Sequence, residues 1–280
     1  PSYLYSDPLG VPSLTELPCN GARAAAVGDL NDDGYDDLVV GMDENGIHRD
    51  LNAFIYYGAP DGMSERYKIE LPVPDCRAVA IGDFNGDGLP DLAFASSGKL
   101  RVFYQTKAGF LPDQFVDLDI NVLQMAAGDL DGDGCADLYV KNESEASVFW
   151  GGKNGLHPSR CRMVWKNKNQ FGKKKRIAPL QAGVLGPLAR EWSPKIVLLG
   201  GKPHLFLNTG EESHLIPVSK GRVLGKPVVI ETGPVRSVAV GDLNGDGRED
   251  LVFAATQSFE GKEVSWIYWG SAKGFDKSRR

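Results

Sequence analysis

The sequence lacks several features that mark common protein classes. It has no run of about 18 apolar residues, which excludes a transmembrane helix within this segment. It has no charged stretch followed by a short apolar stretch, so we expect no signal peptide in it. Its formal net charge is −6, whereas nucleic-acid-binding proteins usually carry an excess of positive charge. We therefore predict no nucleic-acid partner.

Cysteine is also scarce, and long helices are disfavoured. The four cysteines follow no close-spaced zinc pattern, and the sequence is compatible with either two disulfides or four thiols. The 34 glycines and 17 prolines indicate many turns. With 42% hydrophobic residues, the chain has the composition of a globular protein with a real core.

Catalytic signatures are missing as well. The four histidines are scattered and lie in no recognisable nucleophile or metal motif, and no G-x-S-x-G, H-E-x-x-H or P-loop pattern occurs. The one basic cluster covers residues 166–176. We interpret this cluster as a solvated loop, with contact to an anionic glycan or a partner as the alternative.

What the sequence does have is an internal repeat. Residues 26–38 align without gaps to residues 80–92, 126–138 and 239–251. The first aspartates of the four copies are Asp29, Asp83, Asp129 and Asp242, which lie 54, 46 and 113 residues apart. Because the last spacing is about twice the others, we predict a fifth, degenerate repeat near Val184. In this copy residues 181–186 align with the residues around the first aspartate, Val184 replaces that aspartate, and the apolar run 194–199 takes the place of the second strand.

A second landmark recurs in each copy, an aromatic or aliphatic strand such as residues 54–57, 148–150 or 266–269, often followed by glycine. Each period therefore contains four short strands, illustrated by residues 77–81, 91–95, 102–104 and 67–71. Four antiparallel strands in each repeat of this length are typical of propeller blades. We predict an all-β fold, a single β-propeller domain over residues 1–280 with five repeats.

Closure of the predicted ring depends on the ends of the chain. The last repeat has three of its four strands, and residues 14–17 could supply the fourth beside the strand at 266–269. We therefore expect a closed ring of five blades. Residues 3–5 resemble the aromatic third strand of a repeat, which the last repeat already has at 266–269. This extra copy favours the alternative that the chain is part of a six- or seven-bladed ring.

The repeated aspartate loops predict metal sites. In the first Asp loop, residues 29–37, positions 1, 3 and 5 are Asp29, Asn31 and Asp33. Their side-chain oxygens converge when the chain curls tightly, a glycine at position 6 permits the sharp turn, and position 7 (Tyr35) can offer a backbone carbonyl. Hard oxygen donors with several carboxylates favour Ca²⁺ over zinc or copper.

The second, third and fourth Asp loops, residues 83–91, 129–137 and 242–250, repeat this set. Their residues at positions 1, 3, 5, 7 and 9 are Asp83, Asn85, Asp87, Leu89 and Asp91; Asp129, Asp131, Asp133, Cys135 and Asp137; and Asp242, Asn244, Asp246, Arg248 and Asp250. An EF-hand is excluded because position 12 is apolar in every loop, where that motif needs a bidentate glutamate. Metal-free turns are the alternative, but carboxylates packed this densely repel one another unless neutralised.

The stretch 239–252, followed by the Tyr-Trp-Gly turn at 268–270, resembles the FG-GAP or VCBS-type repeat. Such repeats occur in integrin α-subunit propellers and in secreted bacterial proteins. The resemblance implies calcium ligands at positions 1, 3, 5, 7 (through the carbonyl) and 9, with Asp37 at position 9 of the first loop. It implies about four Ca²⁺ ions, with none at the degenerate repeat.

The resemblance also implies an extracellular, periplasmic or cell-surface location and a binding, adhesion or scaffold role toward a protein or glycan ligand. A carbohydrate-active enzyme similar to polysaccharide lyases is the alternative. Since the carboxylates dense enough for acid–base chemistry belong to the Asp loops, we favour the non-enzymatic role.

Overall fold

The structure is a computed structural model, and the regular secondary structure of its described residues is almost entirely β-strand. Two short 3₁₀ helices, Glu65–Tyr67 and Pro158–Arg160, interrupt the strands. No helix in this part of the chain is long and apolar enough to cross a membrane. The predicted all-β class is confirmed. The described residues are 2–6, 13–19, 21–44, 46, 48, 50–166, 193–255, 258–259, 262–263, 265–272 and 274–275.

In the described residues the strands form two separate hairpins and five larger antiparallel sheets. The N-terminal hairpin pairs β1 (Ser2–Ser6) with β2 (Ser13–Leu17). The first sheet contains β3 (Ala22–Gly28), β4 (Asp37–Met42), β5 (Ala53–Tyr56) and β6 (Lys68–Leu71). The second contains β7 (Cys76–Gly82), β8 (Asp91–Ser96), β9 (Lys99–Phe103) and β10 (Val116–Leu118). The third contains β11 (Gln124–Gly128), β12 (Asp137–Lys141), β13 (Glu145–Phe149) and β14 (Cys161–Lys166).

These three sheets share one plan, a meander in which neighbouring strands follow chain order. Every residue of β8 and of β12 is buried, because a second strand has neighbours on both edges and packing on both faces. The first strand lies at the sheet edge and is half exposed. In the first two sheets this edge strand carries a bulge at the same place, between Ala22 and Ala24 and between Cys76 and Ala78.

The fourth sheet contains β15 (Lys195–Leu199), β16 (Lys202–Asn208) and β17 (Glu212–Ser219), with β18 (Val223–Leu224) and β19 (Val228–Glu231) both pairing with β17. The fifth contains β20 (Val235–Gly241), β21 (Asp250–Ala255) and β24 (Trp266–Tyr268), and a separate hairpin pairs β22 (Ser258–Phe259) with β23 (Lys262–Glu263). Together the five sheets confirm the blade-like repeats predicted from the sequence.

The fourth sheet corrects the alignment of the degenerate repeat. We expected residues 194–199 to be its second strand, but β15 approaches β20 as β3 approaches β7, which are first strands. A Cβ placed on Gly128, at the end of β11, would lie 3.5 Å from the side chain of Ile196 in β15. A Cβ placed on Gly28, at the end of β3, would lie at the same distance from Ile81 in β7. The apolar run of β15 resembles a second strand, which explains the error. Residues 181–186, including Val184, lie outside the described residues.

The N-terminal hairpin corrects the predicted strand pairing. We expected residues 14–17 to lie beside the strand at 266–269, but β2 pairs along its whole length with β1, from Ser2 opposite Leu17 to Ser6 opposite Ser13. A partner a few residues upstream costs less loop-closure entropy than one at the far end of the chain. Closure of a five-bladed ring stays a prediction.

The chain divides into two compact units, Pro1–Gln124 with Gly151–Pro158 and Met125–Trp150 with Ser159–Arg280. In the first unit, Phe94 and Phe103 meet edge-on with centroids 5.9 Å apart. In the second, Phe253 and Tyr268 repeat this contact at 5.8 Å. The same pairing of second and third strands therefore builds the core of both units, and the single-domain assignment stays a prediction.

The cysteines are free thiols, with Cys19, Cys76 and Cys135 buried and Cys161 exposed. Burial raises the pKa of Cys76 to about 12, which further suppresses its thiolate. We expect one of the four thiols to react with a thiol-specific dye in the native protein and all four to react in denaturant. Loss of the fast phase in a Cys161→Ser variant would assign it, and a titre of zero in denaturant without reductant would show disulfides instead.

Two glycines with ordinary backbone angles test how tightly the first sheet is packed. A Cβ on Gly41 of β4 would overlap the sulfur of Cys76, whereas a Cβ on Gly28 of β3 would lie 3.5 Å from Ile81, an ordinary contact. We expect Gly41→Ala to reduce the free energy of unfolding by about 1–3 kcal/mol, as overpacking does. Gly28→Ala is the matched control, and an equal effect of both in urea unfolding would contradict the packing described here.

Candidate metal centre

The four Asp loops occupy equivalent places in the structure. Each connects the first strand of a sheet to the second, so the loops lie between β3 and β4, β7 and β8, β11 and β12, and β20 and β21. Position 1 follows the end of the first strand, and position 9 is the first residue of the second strand. The structure thus places all the predicted ligand positions in four separate loops of one design.

The carboxylate at position 1 is held inside its loop by backbone N–H groups. In the first loop Asp29 accepts hydrogen bonds from the N–H of Asp33 at 3.3 Å and of Gly34 at 2.9 Å. Gly34 has φ of 85°, a left-handed conformation that directs its N–H inward and that glycine adopts at no steric cost. These hydrogen bonds lower the pKa of Asp29, the largest contribution coming from Gly34. The glycine at position 6 therefore does what the sequence predicted.

Positions 3 and 5 complete the curl. Asn31 accepts the N–H of Asp33 at 3.2 Å through Oδ1 and donates from Nδ2 to Asp33 Oδ2 at 3.0 Å. The other oxygen of Asp33 accepts the N–H of Tyr35 at 2.9 Å. The second and fourth loops repeat these contacts through Asn85 and Asn244. The side chains of positions 1, 3 and 5 therefore turn inward, while the carbonyl ligands assigned to position 7 stay a prediction.

The aspartate at position 9 makes contacts that sequence reasoning missed. Asp37 is fully buried, and its two oxygens accept the N–H of Leu30 and the N–H of Gly58, each at 2.7 Å. Leu30 is position 2 of the same loop, whereas Gly58 follows the third strand of the sheet. One carboxylate therefore fastens the loop to a distant part of its own repeat.

The same contacts occur around the buried aspartates of the second and fourth loops. Asp91 accepts the N–H of Phe84 and of Gln105, each at 2.9 Å. Asp250 accepts the N–H of Leu243 at 2.9 Å and of Gly270 at 2.8 Å. In the third loop Asp137 is equally buried and accepts the N–H of Leu130 at 2.8 Å.

The glycine after the third strand now has a physical explanation. A Cβ on Gly58 would overlap the carbonyl oxygen of Asp36, and one on Gly270 would overlap that of Glu249. Both carbonyls belong to position 8 of an Asp loop. The recurring aromatic-glycine turn thus lets the backbone come close enough to reach the buried carboxylate, a signal present in the sequence whose reason was not visible there.

Burial of these carboxylates has an electrostatic cost. Desolvation raises the pKa of Asp37, and it raises the pKa of Asp91 to about 7 in spite of two hydrogen bonds from backbone N–H groups. The neighbouring loop carboxylates push both pKa values in the same direction, as Asp87 and Asp83 do for Asp91. Each loop therefore concentrates negative charge that a cation would stabilise.

The third loop differs from the others. Asp129, Asp131 and Asp137 bring ligand atoms within 4.8 Å of one another, the one such cluster of acidic, histidine or cysteine side chains in the described ranges. Position 3 here is an aspartate, and Arg222 contacts it, with Nε 2.9 Å from Oδ2 of Asp131. Sequence reasoning did not predict this arginine, which is 91 residues away.

The fourth sheet has no Asp loop. Its first two strands are joined by the two-residue turn Gly200 and Gly201, both with left-handed φ angles of 60° and 67°. This turn carries no side-chain donor. The turn between β15 and β16 therefore offers no side-chain ligand for a metal. The absence of a metal site near Val184 stays a prediction.

Family models match the parts of the chain that hold the Asp loops. An FG-GAP-like repeat matches residues 29–94 and 83–140, and an FG-GAP repeat matches residues 235–268. Together these matches cover about half of the chain. The chain is an FG-GAP repeat protein.

Curated relatives of this FG-GAP repeat protein include integrin α subunits. It is 36% identical over 83 residues to integrin alpha pat-2 of Caenorhabditis briggsae, covering 26% of this chain and 7% of the relative. It is 30% identical over 116 residues to integrin alpha-7 of Mus musculus, covering 33% of this chain and 9% of the relative. The chain thus spans less than a tenth of the length of these relatives.

A solved structure shares the fold of the FG-GAP repeat protein. The crystal structure of BBS1N in complex with ARL6DN, soaked with lead, superposes with a TM-score of 0.52 at 13% identity. The superposition covers 87% of this chain and 66% of that one. At this identity the similarity concerns the fold alone.

The buried aspartate at position 9 generates a stability prediction. We expect Asp91→Asn to lower the free energy of unfolding by about 1–3 kcal/mol, because an amide NH₂ would face one of the two buried N–H groups. Urea unfolding in the presence of a chelator isolates this effect from any bound metal. Asp113→Asn, at an exposed aspartate outside the loops, is the control, and equal stability of the two variants would contradict the role assigned to Asp91.

Proposed function

We propose that the chain is a calcium-stabilised binding module whose four Asp loops are its metal sites. The observation that carries this proposal is the recurrence of one curled loop, with inward side-chain oxygens at positions 1, 3 and 5, in four of the five sheets. A single such turn would be weak support, whereas four in equivalent places favour a common ligand.

The donor set fits calcium. The side chains at positions 1, 3, 5 and 9 offer only carboxylate and amide oxygens, the donors that Ca²⁺ prefers, and they include no imidazole or thiolate. At position 7 the side chain varies among Tyr35, Leu89, Cys135 and Arg248, as a backbone carbonyl ligand allows. Bound calcium would supply the positive charge that offsets the carboxylates of each loop.

The binding role is supported by the FG-GAP repeats and by the similarity to integrin α subunits. We propose a protein ligand, with a glycan as the other class, and an extracellular, periplasmic or cell-surface location. Because the matched relatives are much longer than this chain, both statements are proposals about this segment and not properties carried over from a whole integrin subunit.

Calcium should raise thermal stability. Binding to the native state alone adds about 2.7 kcal/mol for each site when the free ion is at 100 times its Kd. We expect a higher Tm and slower proteolysis in excess Ca²⁺ than in chelator. The shift should be smaller in Asp83→Asn, which alters one loop, and unchanged in Asp113→Asn. Identical melting curves with and without the ion would contradict calcium binding.

The ligand class can be tested directly. Immobilised protein in Ca²⁺ and in chelator is exposed to detergent extracts of cell-surface proteins and, in parallel, to a glycan array. We expect calcium-dependent retention of a protein, whereas retention restricted to a glycan would select the other class. Turnover of a polysaccharide, abolished by a substitution outside the Asp loops, would contradict the binding-module proposal.

A further inference from the structure

At positions 1, 3, 5 and 9, the third Asp loop carries one more carboxylate than the others. Its position 3 is Asp131, where the first, second and fourth loops have Asn31, Asn85 and Asn244. Asp131 is also well buried, with 7% of its surface exposed. A fourth carboxylate among these positions adds repulsion that the corresponding positions of the other loops do not have.

The asparagine of the other loops has two tasks. In the second loop, Asn85 Oδ1 accepts the N–H of Asp87 at 2.9 Å, and Asn85 Nδ2 donates to Asp87 Oδ2 at 3.0 Å. An aspartate can perform the first task, and Asp131 Oδ1 accepts the N–H of Asp133 at 3.2 Å. It cannot perform the second, because a carboxylate has no N–H to donate.

Arg222 fills this gap. Its Nε donates to Asp131 Oδ2 at 2.9 Å, on the side where the asparagine amide would carry its NH₂ group. Its Nη2 lies 3.4 Å from Asp133 Oδ2, the oxygen that accepts from asparagine in the other loops. The guanidinium therefore bridges positions 3 and 5 of the third loop. In the other loops the asparagine at position 3 makes this link directly.

The placement of Arg222 depends on the sheet that has no Asp loop. Arg222 lies in the short turn between β17 and β18 of the fourth sheet and has a left-handed φ of 65°, which is unusual for a residue other than glycine. Its carbonyl accepts Nη1 of Arg162 at 2.8 Å, and its guanidinium lies 5.5 Å from the ring of Trp150. The third sheet thus holds both the backbone and the side chain of this residue.

We propose that Arg222 is a positioning residue of the third loop, a substitute supplied by the degenerate repeat for the missing asparagine amide and for the extra negative charge of Asp131. The guanidinium bonds the outer oxygens of Asp131 and Asp133, so the inward oxygens of the third loop keep the arrangement found in the other loops. For its bearing on calcium, this inference rests on the proposed function.

A double-mutant cycle in chelator tests the inference. We expect Arg222→Gln to lower the Tm by about 2–4 °C in the wild-type background. In an Asp131→Asn background the same substitution should have little effect, because the new amide can donate to Asp133. Equal effects in both backgrounds, or no effect of Arg222→Gln in the wild type, would overturn the proposal.

A matched control places the extra carboxylate where no arginine compensates it. Asn85→Asp gives the second loop the same four aspartates at positions 1, 3, 5 and 9 as the third, and we expect it to lower the Tm in chelator as Arg222→Gln does. Unchanged stability of this variant would overturn the proposal, because the extra charge would then need no partner. Calcium binding by the wild type is measured separately, so a failure of the proposed function leaves the outcome of the cycle in chelator unaffected.

Discussion

The arrangement of each Asp-loop repeat depends on one buried carboxylate, the aspartate at position 9. Leaving such a group without partners in the core would be costly, and in the first, second and fifth sheets it takes one N–H from its own loop and one from the end of the third strand. The loop and the third strand must therefore be in place together. The curl that directs the other oxygens inward is built on this anchor.

The fourth sheet shows what happens without that carboxylate. Its first turn shrinks to two glycines, and a different buried polar group holds the sheet together. Asn208, 1% exposed, accepts the N–H of Gly210 at 2.9 Å and donates to the carbonyl of Gly233 at 2.9 Å. The sheet thus keeps its fold through a satisfied polar network at the end of β16, while it contributes Arg222 to the third loop.

Much of the fold and of the site was predictable from local sequence. The period of the repeat, the strands represented by β7, β8, β9 and β6, and the four Asp loops follow from patterns within about 15 residues. Glycine at position 6 was predictable for the same reason, since its left-handed conformation serves the loop that contains it.

The contacts that sequence did not reveal join distant residues. Gly58 is 21 residues from Asp37, and Arg222 is 91 residues from Asp131. In the degenerate repeat we assigned β15 as a second strand although it is a first strand. The sequence misled us because this edge strand consists mainly of Ile, Val and Leu, which is the composition of a buried strand. The partner of β2 was misjudged because a strand pattern does not specify which edge it pairs with.

We propose that the four Asp loops, and no loop of the fourth sheet, hold calcium. Equilibrium dialysis of the wild-type chain with labelled calcium tests this claim most directly. We expect saturation at four ions for each chain and at three in a variant with Asp242→Ala and Asp246→Ala in the fourth loop. Saturation at zero, or retention of all four ions by that variant, would contradict it.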